Sequence, residues 1–140
     1  YIADHIKKNS WFSIGLATVN EIDKYNILNA SMLSMERAVN KLKKKPDLYL
    51  IDGVHAPKKM KNFKTIIKGD QKIKCISAAS IVAKVYRDLY MIKLSRRFPN
   101  YKWHKNFGYG TFQHLNALKK FGVTSYHRRS YKPVHNILSK

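Results

Sequence analysis

From Ile76 to Phe98, apolar residues recur at helical spacing nearly all round, through Val82, Val85 and Leu89, and Pro99 ends the run. A helix that is apolar on every side cannot lie on a surface. The pattern therefore predicts a long helix, much of it buried, with the rest of the chain folded around it. Hydrophobic content of 44% is enough for such a core. The 140 residues make one domain or part of one. No apolar stretch approaches the roughly 18–20 residues that cross a bilayer, and the first ten residues lack the apolar core of a signal peptide.

Around that helix the sequence alternates. Residues 1–9 read as the end of a helix broken at "KKNS". "WFSIGLATV" (11–19) is rich in aromatic and β-branched residues and predicts a strand. Asn20 is placed to cap a helix with Glu21 and Asp23 in its first turn. From Asn29 to Lys44 the spacing of Met32, Leu33, Met35, Val39 and Leu42 is helical, and Pro46 stops it. "LYLI" (48–51) and "FKTIIK" (63–68) predict two short strands. "TFQHLNALKKFG" (111–122) predicts a short helix with Thr111 as its cap and Gly122 as its stop. The residues from His127 onward read as a basic, irregular tail. Strands alternating with helices argue for an α/β fold. The domain assignment is 1–125 for the folded body and 126–140 for the tail.

Charge narrows the partner. Lys and Arg number 28 against eight acids, a net charge of +20. All eight acids lie in residues 1–88, while residues 89–140 carry eleven Lys or Arg and no acid. Self-repulsion of this size calls for an anionic partner, and nucleic acid is the natural one. A basic surface inherited from a lysine-rich proteome would give the same composition. No segment pairs a clean apolar face with a basic one, which argues against a membrane surface. The one cysteine, Cys75, excludes an internal disulfide and a cysteine-based zinc cluster. It fits a reducing, cytoplasmic setting and reads as a small core residue.

Against that background two acids stand out. Asp52 ends the apolar run "LYLI", and Asp70 follows "FKTIIKG" in the same way. Ligands of α/β folds gather where strands end. If the two strands are neighbours, the carboxylates converge on one edge, where they repel unless a cation lies between them. Mg²⁺ or Mn²⁺ suits such oxygen donors beside a phosphate groove. "DG" and "GD" are also common turn dipeptides, so spacing alone leaves both readings open. Asp88, four residues after Lys84 on the long helix, reads as one member of an i,i+4 pair, with Lys84 able instead to face a phosphate.

The loop "NYKWHKNFGYGT" (100–111) is dense in aromatics and bases. Tyr109, between two glycines, is placed to stack on a base or sugar, or equally to pack on its own loop. Tyr101 and Trp103 read as loop anchors. No histidine pair has metal-ligand spacing. His127, beside Arg128 and Arg129, reads as phosphate-facing or as part of a solvated basic stretch.

The string "KGDQKIKCISAASIVAKVYRD" (68–88) resembles the signature of type 2 ribonucleases H. With "LIDG", "NFGYGT" and "HRRSYKPV" the resemblance to bacterial ribonuclease HII covers nearly the whole chain. It implies a ribonuclease H-like mixed sheet with flanking helices. The implied function is a metal-dependent endonuclease that cleaves RNA in RNA–DNA hybrids and at ribonucleotides embedded in duplex DNA. Asp52 and Asp70 map to two of four metal-holding acids, with Mn²⁺ or Mg²⁺ as cofactor. In that scheme Asp52 helps hold the ion that activates the attacking water, and Asp70 the ion at the leaving 3′ oxygen. Tyr109 maps to the tyrosine that stacks at the RNA–DNA junction. Lys84 maps to a recurrent position that is structural or phosphate-facing, and Asp88 to an acid outside the four. No obligate protein partner is implied.

The family's adjacent Asp-Glu pair and Gly-Arg-Gly loop are not in these 140 residues. The expectation is a C-terminal segment whose sheet lacks its first two strands, with little or no activity alone. The alternative is a non-catalytic, basic nucleic-acid-binding remnant.

Overall fold

A computed structural model describes residues 1–139. The architecture is α/β and mostly helical: α1 (Ile2–Lys8), α2 (Val19–Lys41), β1 (Tyr49–Asp52), β2 (Phe63–Ile66), α3 (Gly69–Lys72), α4 (Lys74–Arg97), α5 (Trp103–Asn106), α6 (Phe112–Phe121) and α7 (Lys132–Leu138). A 3-10 turn, Pro99–Tyr101, follows α4. No helix among the described residues is long and apolar enough to cross a membrane. The chain divides into two compact units. The first is Tyr1–Thr18 with Tyr25–Val85, and the second is Val19–Lys24 with Tyr86–Lys140.

The first unit holds the sheet. β1 and β2 pair in parallel, from Tyr49 opposite Phe63 to Asp52 opposite Ile66. Tyr49 donates to the Asn62 carbonyl at 2.8 Å and Gly53 to that of Ile66 at 2.9 Å, extending the ladder at both ends. The predicted strands are thus neighbours, each placed within two residues of its sequence position. Ile51 points into the core while Asp52 ends the strand exposed.

"WFSIGLATV" does not form a strand; residues 11–18 have no regular structure and α2 begins at Val19. Their polar groups go to a helix instead of a ladder. Ser13 Oγ donates to the Ala38 carbonyl at 2.5 Å, Arg37 Nη1 to that of Leu16 at 2.7 Å, and Lys41 Nζ to that of Ile14 at 3.3 Å. Gly15 allows this approach, because a Cβ there would stand 1.9 Å from the Ser34 carbonyl oxygen. The helical periodicity read from Asn29 belongs to the second half of α2. That half starts after Asn26, which has φ 69° and whose Oδ1 accepts from Asn29 N at 3.0 Å.

The second unit packs round aromatic rings. Met91, Leu94, Tyr101, Trp103, Ala117, Leu118 and Val134 form its core, with Phe98, Phe107 and Tyr126 against them. Tyr101 and Trp103, expected as loop anchors, lie at the centre of this core. The expected irregular tail contains α7, whose Val134 is fully buried, with Pro133 in the first turn where its missing N–H is not needed. Thr111 caps α6 through Oγ1, accepting from His114 N at 3.3 Å, and Gly122 stops it at φ 79°.

The long helix matches its predicted span but not its predicted burial. Ile76, Val82, Met91, Leu94 and Ser95 are buried, whereas Leu89 is 57% exposed and Tyr86 and Tyr90 are exposed too. Cys75 is also exposed rather than in the core.

Candidate functional site

In the first unit the candidate residues sit at the C-terminal end of the sheet. Asp52 closes β1, and its Oδ1 accepts a hydrogen bond from Gly69 N at 2.8 Å. The chain reaches that position because Lys68 adopts a left-handed conformation, φ 53°, and turns directly into α3. Gly69 is buried, and a Cβ there would stand 2.7 Å from Ile76 Cδ1 and 3.5 Å from Asp52 Oδ1. A side chain between Lys68 and Asp70 would thus have to displace the end of Ile76. Asp70 follows the amide that Asp52 holds, in the first turn of α3. There it lines an open groove of about 480 Å³ with Ile6, Lys72, Lys74 and Ser77.

The two aspartates predicted from sequence therefore lie at the same end of one parallel pair. The Gly69 bond orients one Asp52 oxygen and leaves the other available. Such oxygen donors fit Mg²⁺ or Mn²⁺, which bind through one or two carboxylates and complete their shells with water and substrate phosphate. Among the described residues, no group of three or more His, Cys, Asp or Glu side chains converges to hold a metal ion. Lys84 is exposed on α4, four residues before the half-buried Asp88.

In the second unit the "GYG" loop is built to present one ring. Asn106 is buried and organises it on three sides: Nδ2 donates to the Tyr101 carbonyl at 2.8 Å, Oδ1 accepts from Gly108 N at 2.9 Å, and its backbone oxygen accepts from Tyr109 N at 2.8 Å. Gly108 has φ +83°, a conformation that favours glycine, and a Cβ at Gly110 would stand 2.7 Å from the Tyr131 hydroxyl, which would have to move aside. The Tyr109 carbonyl accepts from Thr111 N at 2.9 Å and meets His114 Nδ1 at 2.9 Å. Its backbone is held, and its side chain is 61% exposed.

His127 is not phosphate-facing. It is buried, with Nε2 3.1 Å from His114 Nε2 and Nδ1 accepting from Thr124 N at 3.0 Å. Burial, and then the neighbouring His114, push its pKa from the ordinary 6.5 down to about 4, so it is neutral at physiological pH.

The following arginines are placed by a residue that sequence reading passed over as a helix-start acid. Asp23 Oδ2 accepts from Arg129 N at 2.9 Å, and Oδ1 from Ser130 N at 3.0 Å and Ser130 Oγ at 2.6 Å. Burial pushes Asp23 up, but the Ser130 and Arg129 hydrogen bonds and the Arg128 charge bring it below its ordinary value. More than 100 residues separate these partners, so no local signal connects them.

A family model described as "Ribonuclease HII" matches residues 2–134. The chain is 56% identical over 136 residues to the ribonuclease HII of Pelagibacter ubique, covering 96% of this chain and 73% of that protein. It is 43% identical over 138 residues to that of Roseobacter denitrificans, covering 98% and 70%. It is 53% identical over 127 residues to that of Cereibacter sphaeroides, covering 90% and 60%. Among solved structures, the ribonuclease H2 from Pyrococcus horikoshii superposes with a TM-score of 0.67 at 23% identity, covering 87% of this chain and 65% of that one. That likeness shows the fold.

Proposed function

The chain belongs to the ribonuclease HII family, and from that premise we propose that it carries part of the centre of a metal-dependent, cytoplasmic endonuclease. The proposed reaction cleaves RNA in RNA–DNA hybrids and at single ribonucleotides embedded in duplex DNA. The observation that carries this reading is the hydrogen bond from Gly69 N to Asp52, which sets Asp52 and Asp70 at one end of the sheet.

Asp52 and Asp70 would hold Mg²⁺ or Mn²⁺. When bound there, a divalent ion supplies Lewis-acid activation of water and neutralises charge at the phosphate. The chain's own residues do the rest. Gly69 fixes one Asp52 oxygen so that the other faces the substrate side without rotating. Tyr109 presents its ring to the sugar at the RNA–DNA junction. Lys84, and the Arg128–Arg129 turn that Asp23 holds, bind backbone phosphates, as the charge of +20 favours.

A second reading, a non-catalytic basic binder, draws on the fact that only these two carboxylates are assigned to the centre. Mn²⁺ uptake separates the two. The chain is mixed with a duplex carrying one ribonucleotide, Mn²⁺ binding is followed by electron paramagnetic resonance, and products are mapped on a gel. Expected is Mn²⁺ uptake that disappears in the Asp52→Asn/Asp70→Asn double variant, with any cut falling beside the ribonucleotide. Equal uptake by the double variant would overturn the metal assignment. Absence of uptake by either protein, with duplex binding strengthened by the substitutions, would establish the binder.

A further inference from the structure

The buried histidine pair is left unexplained by the proposed chemistry, yet it ends on Tyr109. Two groups in it have no choice of role. The Trp103 indole N–H can only donate, and it meets His114 Nε2 at 3.1 Å. The Thr124 backbone N–H can only donate, and it meets His127 Nδ1 at 3.0 Å. Those two donors settle both tautomers. His114 Nε2 is an acceptor, so its proton is on Nδ1 and goes to the Tyr109 carbonyl at 2.9 Å. His127 Nδ1 is an acceptor, so its proton is on Nε2 and goes to His114 Nε2 at 3.1 Å. The two rings are opposite tautomers in one directed series, from Thr124 through His127 and His114 to Tyr109. Trp103 and Tyr101 enclose it, with ring centroids 5.3 Å and 5.1 Å from that of His127.

The series adds a second donor to the Tyr109 carbonyl, which also accepts from Thr111 N at 2.9 Å. Tyr109 lies between two glycines, and its carbonyl orientation sets the peptide plane that precedes Gly110. We propose that His114 and His127 are positioning residues. As a neutral pair of fixed, opposite tautomers they hold the Tyr109 peptide, and so keep its exposed ring at the angle it offers to a nucleic-acid sugar. This rests on the reading that Tyr109 contacts nucleic acid.

The test has two arms. Long-range ¹⁵N–¹H spectra of the unmodified chain should show His114 as the Nδ1–H tautomer and His127 as the Nε2–H tautomer at neutral pH. Rapidly exchanging tautomers at either ring would overturn the proposal, and this arm does not depend on any variant folding. The second arm compares affinity for a duplex with one ribonucleotide against an all-DNA duplex by fluorescence anisotropy. Tyr109→Ala should lower that preference about fivefold or more, the scale of one lost stack. His114→Leu should lower it comparably, and His114→Asn, whose amide can still donate near the Nδ1 position, should restore most of it. If Tyr109→Ala lowers the preference and His114→Leu does not, the positioning role fails while the Tyr109 reading stands. If Tyr109→Ala changes nothing, the Tyr109 reading fails and takes this inference with it.

Discussion

The two units carry their functional residues in opposite ways. In the first, the candidate centre stands on a two-stranded sheet, and the carboxylates keep lone pairs free. In the second, the exposed Tyr109 rests on a tightly packed set of rings, with every polar atom of the histidine pair matched to a partner. A site that must take up a cation needs unsatisfied oxygens and room. A ring that must read a sugar's position needs a backbone that does not move. On the proposed assignments, the difference in packing matches the difference in task.

The largest effect that could break this contrast is expected from Trp103→Ala. The side chain is fully buried beside Tyr101, His114 and His127. Its loss should cost about 3–5 kcal/mol in denaturant unfolding. A cost below about 1 kcal/mol would mean that the second unit is no better packed than the first.

Acid should weaken the same region by a comparable amount. The pKa of His127 is depressed in the fold from 6.5 to about 4. Between those values the unfolded chain binds more protons than the folded one. This contribution is therefore present above pH 6.5 and is lost as pH falls toward 4, up to roughly 3 kcal/mol. Stability measured from pH 7 to 4 should decline, and His127→Gln should flatten the decline. An unchanged slope in that variant would assign the acid sensitivity elsewhere.

Gly69→Ala probes the first unit. The added methyl meets Ile76 Cδ1 at 2.7 Å, so a cost of about 1–3 kcal/mol is expected in thermal unfolding. Metal uptake should fall with it where the backbone that holds Asp52, rather than the Ile76 side chain, yields to the methyl. Asp23→Ala should cost about 1–2 kcal/mol through three lost acceptor bonds, and weaken duplex binding by freeing the Arg128–Arg129 turn. Tyr109→Ala should be the smallest in stability, within about 0.5 kcal/mol. Its ring is exposed, and its effect belongs to binding alone.

Several features were legible in local sequence because local physics sets them. Thr111 and Gly122 bound α6 through a cap and a stop that need only their own neighbours. Pro99 closes α4 just after Arg97 for a steric reason that distant residues do not alter. The Asp52 and Asp70 positions follow from where short apolar runs end. Where the reading failed, the deciding partner was remote. "WFSIGLATV" has strand composition, yet a strand exists only where a neighbour offers a ladder, and here Arg37, Ala38 and Lys41 offered a helix instead. Leu89 fits the apolar pattern of α4 but lies on an exposed side of it. His127 read as phosphate-facing or solvated because it precedes two arginines; its ring nevertheless turns inward to His114.

By itself the sequence determined the α/β class, the family, the basic character and the two acids that end the apolar runs. Those depend on residue type, spacing and charge, which folding does not change. Only the tertiary structure decided which of the remaining polar residues act together. Asp23 reaches Ser130, Asp52 reaches Gly69, and His127 reaches Tyr109 through His114, because hydrogen bonds join groups that are close in space, and the fold alone sets that distance.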